Sequence, residues 1–176
     1  MAYQGYIQAK GSKQSQFKGT SLRTDHKDWQ AIERIENEVL APRDAIDGVA
    51  KGRRVHKPFK ALIEIDGAFP QWMSALTSNE MLTEVNIQLW DKDVTSGEDR
   101  QFFNIKLVEA HVVSCRLFTG SVGDAGDSSS AATAKNPGEY DTREYYEVGL
   151  SYRSITWEHM VAKTVVTDDW YAKKPT

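Results

Sequence analysis

Alternation of apolar and polar side chains constrains this sequence more than any other feature in it. In LTEVNIQLW, Thr83, Val85, Ile87 and Leu89 share one parity while Glu84, Asn86 and Gln88 hold the other. Successive strand residues point to opposite faces, so the pattern predicts a strand with one buried side. KPFKALIEI repeats it, with Phe59, Ala61, Ile63 and Ile65 set against Lys60 and Glu64. Near the C-terminus, Tyr146, Val148, Leu150 and Tyr152 alternate with Glu147, Gly149, Ser151 and Arg153. In FFNIKLVEAHVVSCRLF the apolar parity runs through Phe103, Ile105 and Leu107 and then passes to Val108, Ala110 and Val112. A change of parity inside one strand predicts a bulge, and bulges belong to strongly curved or closed sheets.

One segment departs from period two. In FPQWMSALTSNEML, Pro70 suits a first helical turn, and Trp72, Met73, Leu76 and Met81 recur near helical spacing, which predicts one short amphipathic helix. The fold expected is therefore mainly β: an antiparallel β-barrel of two curved sheets with one short flanking α-helix. With 176 residues, the expectation is a single domain spanning residues 1–176. Two irregular stretches interrupt the strands. Residues 41–58 (APRDAIDGVAKGRRVHKP) contain two prolines, two glycines and five cationic side chains, and residues 119–142 are rich in Gly, Ser, Ala and Asp. The second reads as a surface loop, whereas the first is too patterned for a passive linker.

The 22 Lys and Arg against 25 Asp and Glu give a net charge of -3, which supplies no long-range attraction to a phosphate backbone, so nucleic acid is excluded as an expected partner. No apolar run has the length of a signal peptide or membrane span, so no membrane insertion is expected and synthesis as a soluble cytoplasmic protein is. Cys115, the one cysteine, can form neither an internal disulfide nor a thiolate cluster; core packing beside Val113 and Leu117 is its expected role. The histidines His26, His56, His111 and His159 are not spaced as ligand pairs, so no metal or cofactor is expected. His26, between Asp25 and Asp28, reads as a surface or capping residue, and His56, among Arg53, Arg54 and Lys57, as an interface residue. Asp91 with Asp93, and Asp168 with Asp169, read as solvated carboxylates of turn and tail segments. No phosphate loop, dinucleotide glycine signature or nucleophile elbow is present, and no residue is assigned to catalysis.

Several stretches together resemble the hemolysin-coregulated protein (Hcp) family, the tube proteins of bacterial type VI secretion systems. They are GSKQSQFKG at 11–19, PRD at 42–44, RRVHKP at 53–58, LSYRSITWEH at 150–159 and DDW at 168–170, in family-like order. The resemblance implies a β-barrel with a flanking helix that assembles as a homohexameric ring. Rings of the family stack into the inner tube of the secretion machine, are expelled with it and carry some effectors in the lumen. Sheath, spike and effector proteins are the further partners implied, with secretion through the type VI apparatus and no cleaved signal peptide.

By the same resemblance, the 41–58 segment reaches onto an adjacent subunit or ring, with Pro42, Arg43, Asp44, Lys51, Arg53, Arg54, His56, Lys57 and Pro58 at the interface. Its cations are suited to carboxylates of the partner, Arg through paired hydrogen bonds. The alternatives are a solvated basic loop on a monomer, a β-barrel that binds a small ligand, and an effector on a tube-like fold, against which the length of 176 residues argues.

Overall fold

The computed structural model describes residues 4–21, 23–43, 52–119 and 143–170. Among them the strands are β1 (Gln4–Gly11), β2 (Ser15–Gln16), β3 (Gln30–Glu36), β4 (Val39–Leu40), β5 (Val55–His56), β6 (Phe59–Glu64), β7 (Met81–Lys92), β8 (Asp99–Thr119), β9 (Glu144–His159) and β10 (Thr164–Asp169). The helix α1 (Phe69–Thr77) lies between β6 and β7. Hydrogen bonding runs β9–β6–β3–β1–β7–β8 and closes from β8 back to β9, all antiparallel, so six strands form a complete barrel. Closure removes the bare edges that an open sheet would expose. The short β2 extends β1, β10 extends β9, and β4 with β5 makes a separate two-stranded ribbon. The expected antiparallel barrel with one helix is present.

The alternation read from the sequence builds the interior. Phe59, Ala61 and Ile63 from β6, Val85 and Ile87 from β7, and Tyr146, Val148 and Leu150 from β9 are all buried, and they meet Ile7 and Ala9 of β1. The change of parity expected in β8 is found at Glu109, whose backbone takes the left-handed conformation (φ 48) rarely adopted outside glycine. Before it Ile105 and Leu107 face the core; after it Ala110 and Val112 do. The neighbouring strands change face at the same level. Pairing of β7 with β8 passes from Leu82–Ala110 to Glu84–Val108, and pairing of β8 with β9 from Val108–Ser154 to Ala110–Tyr152. Thr83, Glu109 and Arg153 thus stand in one row where the wall turns, and Arg153 Nη1 donates to Glu109 Oε1 at 2.9 Å across it.

Two expectations are corrected here. Leu82, not Thr83, enters the core at the start of β7, because the register between β1 and β7 shifts there. Ile65 lies past the end of β6 and is 41% exposed.

Pro70 opens α1 as expected, and Asn79, with φ 49, ends it in the left-handed conformation that helix C-termini favour. Met81 belongs to β7 rather than to the helix. Trp72 is fully buried, stands edge-on to Phe17 at 4.9 Å and donates its indole N–H to Gln30 Oε1 at 2.8 Å. Tyr146 donates to the same oxygen at 3.2 Å, so helix, β3 and β9 meet at one buried amide. Burial pushes the Asp66 carboxyl upward, although Tyr146 and the N–H of Ala68 hydrogen-bond it.

The turn after β1 is fastened by Glu80, which is only 3% exposed. Its Oε1 accepts the backbone N–H of Lys13 at 2.6 Å and of Gln14 at 2.9 Å, and its Oε2 accepts Gln14 Nε2 at 2.9 Å. Burial pushes this carboxyl up, but those donors outweigh it and hold the group below the ordinary range. A Cβ at Gly11 would stand 2.3 Å from Glu80 Oε1, and one at Gly19 would stand 2.2 Å from the carbonyl oxygen of Trp29. The two glycines bounding GSKQSQFKG are therefore required by close approach.

Cys115 packs against the core but is only partly buried, and Val113 and Leu117 on its strand are 48% and 51% exposed. The expected apolar face fails there because β8 shifts register against β9 between Val112 and Ser114. Burial still pushes the thiol up to about 11. At pH 8 the reactive thiolate is then about one part in a thousand, since each pH unit below the pKa is a factor of about ten. Labelling with a disulfide reagent is expected to be slow in the native protein and fast in denaturant; fast native labelling would contradict this environment.

Candidate functional site

Of the residues expected at an interface, Asp44 and Lys51 lie outside the described residues. Pro42, Arg43, Arg53, Arg54, His56, Lys57 and Pro58 are described, and all except His56 are exposed. They flank or form the β4–β5 ribbon, in which Val39 pairs with His56 and Leu40 with Val55. Since a strand turns alternate side chains to opposite faces, Val39 and His56 share one face of the ribbon and Leu40 and Val55 the other.

The His56 face lies against the barrel. The His56 side chain is 2% exposed, its Nδ1 is 3.1 Å from the hydroxyl of Tyr152 and its Nε2 is 2.9 Å from Asp168 Oδ2. Asn37 Nδ2 donates to the Tyr152 hydroxyl at 3.2 Å, and Asn37 Oδ1 accepts the indole N–H of Trp157 at 3.0 Å. With Asn37 donating to it, the hydroxyl directs its own proton at Nδ1, and Nε2–H then donates to the carboxylate. Arg54 grips the same carboxylate through both oxygens, with Nε at 2.7 Å from Oδ2. Burial pushes the Asp168 carboxyl upward, but the hydrogen bonds from Arg54 and His56 outweigh it and hold the group below the usual carboxylate range. The Trp170 ring lies 5.3 Å from the His56 ring, and its backbone N–H donates to the carbonyl of Arg153 at 3.0 Å. On the opposite side Lys57 pairs with Glu38 at 2.7 Å, and its N–H donates to the carbonyl of Glu38.

Arg54, His56 and Lys57 therefore find their partners within the chain. Arg53 is exposed and makes no ion pair with any described residue. Asp168 and Asp169 are not solvated tail residues: both lie on β10, where Asp168 joins RRVHKP to DDW and Asp169 approaches Arg153 at 3.6 Å. Asp91 and Asp93 likewise share Arg100 across the β7–β8 hairpin. The sequence reading missed Asn37, Glu38 and Tyr152 as members of this cluster. Tyr152 carries one local signal, a polar tip on a strand otherwise apolar toward the core, whereas Asn37 and Glu38 lie in the connection between β3 and β4 and carry none.

His26 also departs from expectation. It is 2% exposed, stacks on Tyr6 at 4.1 Å, stands edge-on to Trp29 and Trp90, and reaches Gln88 Oε1 through Nε2 at 3.1 Å. It is the centre of a small aromatic core between the 3-10 turn at Thr24–His26 and the outside of β1 and β7. Among the described residues, no three His, Cys, Asp or Glu side chains gather as a metal site.

The comparisons with known proteins agree with this architecture. The family described as type VI secretion system effector, Hcp, matches residues 6–159. The "Major exported protein" of Pseudomonas aeruginosa is 30% identical over 179 residues, covering 97% of this chain and 96% of that one. A crystal structure of an Hcp protein superposes with a TM-score of 0.80 at 28% identity, covering 96% of this chain and all of the other. The secreted protein Hcp3 of Pseudomonas aeruginosa superposes with a TM-score of 0.73 at 25% identity, covering 97% of this chain and 100% of its own. The chain belongs to the Hcp family of type VI secretion tube proteins.

Proposed function

We propose that the chain is the repeating unit of a hollow type VI tube, in which six copies close into a ring, rings stack, and the assembly is exported with effectors held in its lumen. A sheath outside the tube and a spike at its end are the further partners of this reading. The observation that carries it, beside family membership, is a division of charge. Residues 41–58 contain five of the 22 Lys and Arg and two of the 25 Asp and Glu, which makes the segment +3 and leaves the remainder, with 17 cations and 23 carboxylates, at -6. Arg54 and Lys57 are paired with Asp168 and Glu38 of the same chain, and the positive excess that remains on the segment is complementary to the acidic body of another copy, a head-to-tail contact that generates rings or filaments. Close packing of the barrel interior by Ile7, Val85, Ile87, Leu107, Val148 and Leu150, each at 0% exposure, supports this reading over a small-ligand barrel.

Native mass spectrometry of the purified chain is expected to give a homohexamer as the main species. Arg53→Glu is the informative substitution, because Arg54→Glu would also set two carboxylates against each other at Asp168. The Arg53 variant is expected to keep the circular dichroism of the parent and to assemble more weakly. A parent that remains monomeric, or an Arg53 variant that assembles as well as the parent at low and moderate salt, would count against the proposal.

A further inference from the structure

We propose that Asp66, Tyr146 and Gln30 form a proton-dependent relay at the root of α1. With Asp66 protonated, one line of hydrogen bonds joins the turn before α1 to β9, β3 and the Trp72 indole. With Asp66 ionised, the Tyr146 hydroxyl turns away from Gln30 and the line breaks.

The geometry poses a choice that one proton must settle. The Tyr146 hydroxyl lies 3.1 Å from Asp66 Oδ1 and 3.2 Å from Gln30 Oε1, and it has a single hydrogen to give. Gln30 Oε1 is fixed as an acceptor, because the Trp72 indole N–H, which can only donate, lies 2.8 Å from it. Asp66 Oδ1 accepts the Ala68 N–H at 3.1 Å, whereas Oδ2 is shut off from solvent with no hydrogen-bond partner among the described residues. A proton on Oδ2 therefore has nothing to bind, while a proton on Oδ1 can be given to the Tyr146 oxygen. The neutral acid thus donates to Tyr146, Tyr146 donates to Gln30, and Trp72 donates to the same amide oxygen. When Asp66 is ionised, Tyr146 must give its hydrogen to the carboxylate. Its oxygen and Gln30 Oε1 then face each other at 3.2 Å with no hydrogen between them, and the carboxylate keeps one buried oxygen without a partner.

The surroundings favour the neutral form. Burial raises the Asp66 carboxyl, and Tyr146 and the N–H dipoles of Ala68, Thr20 and Phe69 oppose this without cancelling it. Tyr146 of β9 is the titratable group in contact, and Cys115 of β8 stands toward Tyr146; burial pushes both upward, so both keep their protons near neutral pH. From α1 come Phe69, 5.1 Å from the Tyr146 ring, and Trp72, and from β3 comes Gln30. Among the described residues no Lys, Arg or His forms an ion pair with Asp66. A carboxyl raised in the folded chain gives stability that is fully present below the ordinary aspartate value of about 4 and is lost as pH rises through the higher folded value. That is the opposite sense to Glu80 and Asp168.

Nuclear magnetic resonance titration of the parent, Asp66→Asn and Tyr146→Phe from about pH 8 to about pH 4 tests this through the Asp66 carboxyl carbon and the Trp72 indole N–H. In the parent the carboxyl is expected to titrate above the ordinary aspartate value and the indole signal to move with the same midpoint, because Gln30 Oε1 gains a second donor there. The indole signal is expected to stay in place in Asp66→Asn, which cannot ionise, and in Tyr146→Phe, which keeps the carboxyl but has no hydroxyl to turn. Urea unfolding is expected to show the folding equilibrium constant of the parent, relative to Asp66→Asn, falling by up to about tenfold per pH unit as pH rises from the ordinary value to that midpoint, the limit for one proton. A carboxyl midpoint at or below the ordinary value overturns the proposal, as does an indole signal that ignores it. Equal indole movement in Tyr146→Phe also overturns it, because the charge then acts through space rather than through the hydroxyl. Should either variant fail to fold, agreement or disagreement of the two midpoints in the parent still decides.

Discussion

Trp72→Ala is expected to lower the unfolding free energy by about 3–5 kcal/mol, the range for truncating a large fully buried aromatic residue. Trp72 has no exposed surface, fills the space beside Phe17 and supplies one of the two donors to Gln30 Oε1. Its removal opens a cavity where α1 meets the barrel. Since domains hold only about 5–15 kcal/mol in total, such a loss removes a large share of the stability. Trp72→Phe separates packing from polarity: it keeps most of the contact area, loses the indole donor and is expected to cost about 1–2 kcal/mol. Urea unfolding followed by circular dichroism checks both. A loss below 1 kcal/mol for the alanine variant would mean that α1 is not integral to the core.

The second large effect is at Asp168, where a single carboxylate receives Arg54 and His56. Asp168→Asn is expected to leave the barrel folded and to free the foot of the ribbon, with trypsin cleavage after Arg53 and Arg54 accelerated at least about tenfold, the scale of one charge-assisted hydrogen bond to a buried partner. The carboxyl is held below its usual range, so the stabilisation it gives is fully present above the ordinary aspartate value near pH 4 and is lost as pH falls through the lower folded value. Arg54, His56 and Tyr152 are the charged and titratable groups that face it. The foot of the parent's ribbon should therefore open in acid, read by amide exchange, whereas Asp168→Asn should be open throughout. Equal protection of parent and variant near neutral pH would sink the assignment of Asp168 as the anchor.

Strands whose alternation is uninterrupted were legible from sequence: Phe59, Ala61 and Ile63, and Tyr146, Val148, Leu150 and Tyr152, all went to the core as their parity implied. The bulge in β8 was legible too, because Leu107 and Ala110 cannot both face inward on a regular strand. Thr83 was misplaced because its strand changes register against β1, which only the partner strand determines. The 41–58 segment was recognisable by composition, yet the partners of its charges were not. Asp168 lies 112 residues from His56 and 114 from Arg54, and nothing local in either segment distinguishes a carboxylate that will be gripped from one that will be solvated. His26 was misread for the same reason: its polar flanks are real, but Tyr6 and Trp90 come from strands remote in sequence.

The row formed by Thr83, Glu109 and Arg153 makes three strands interdependent in length. Removing Glu109 alone would set the residues on one side of it against the pleat of both neighbours, so that Ala110 and Val112 would turn to water while their opposite numbers Leu82 and Tyr152 still faced the core. Only matched removals at Thr83 and Arg153 would restore agreement. The barrel thus has a seam at which residues can be gained or lost in threes across the sheet but not singly along the chain, and relatives that differ in length at this level should differ in all three strands together.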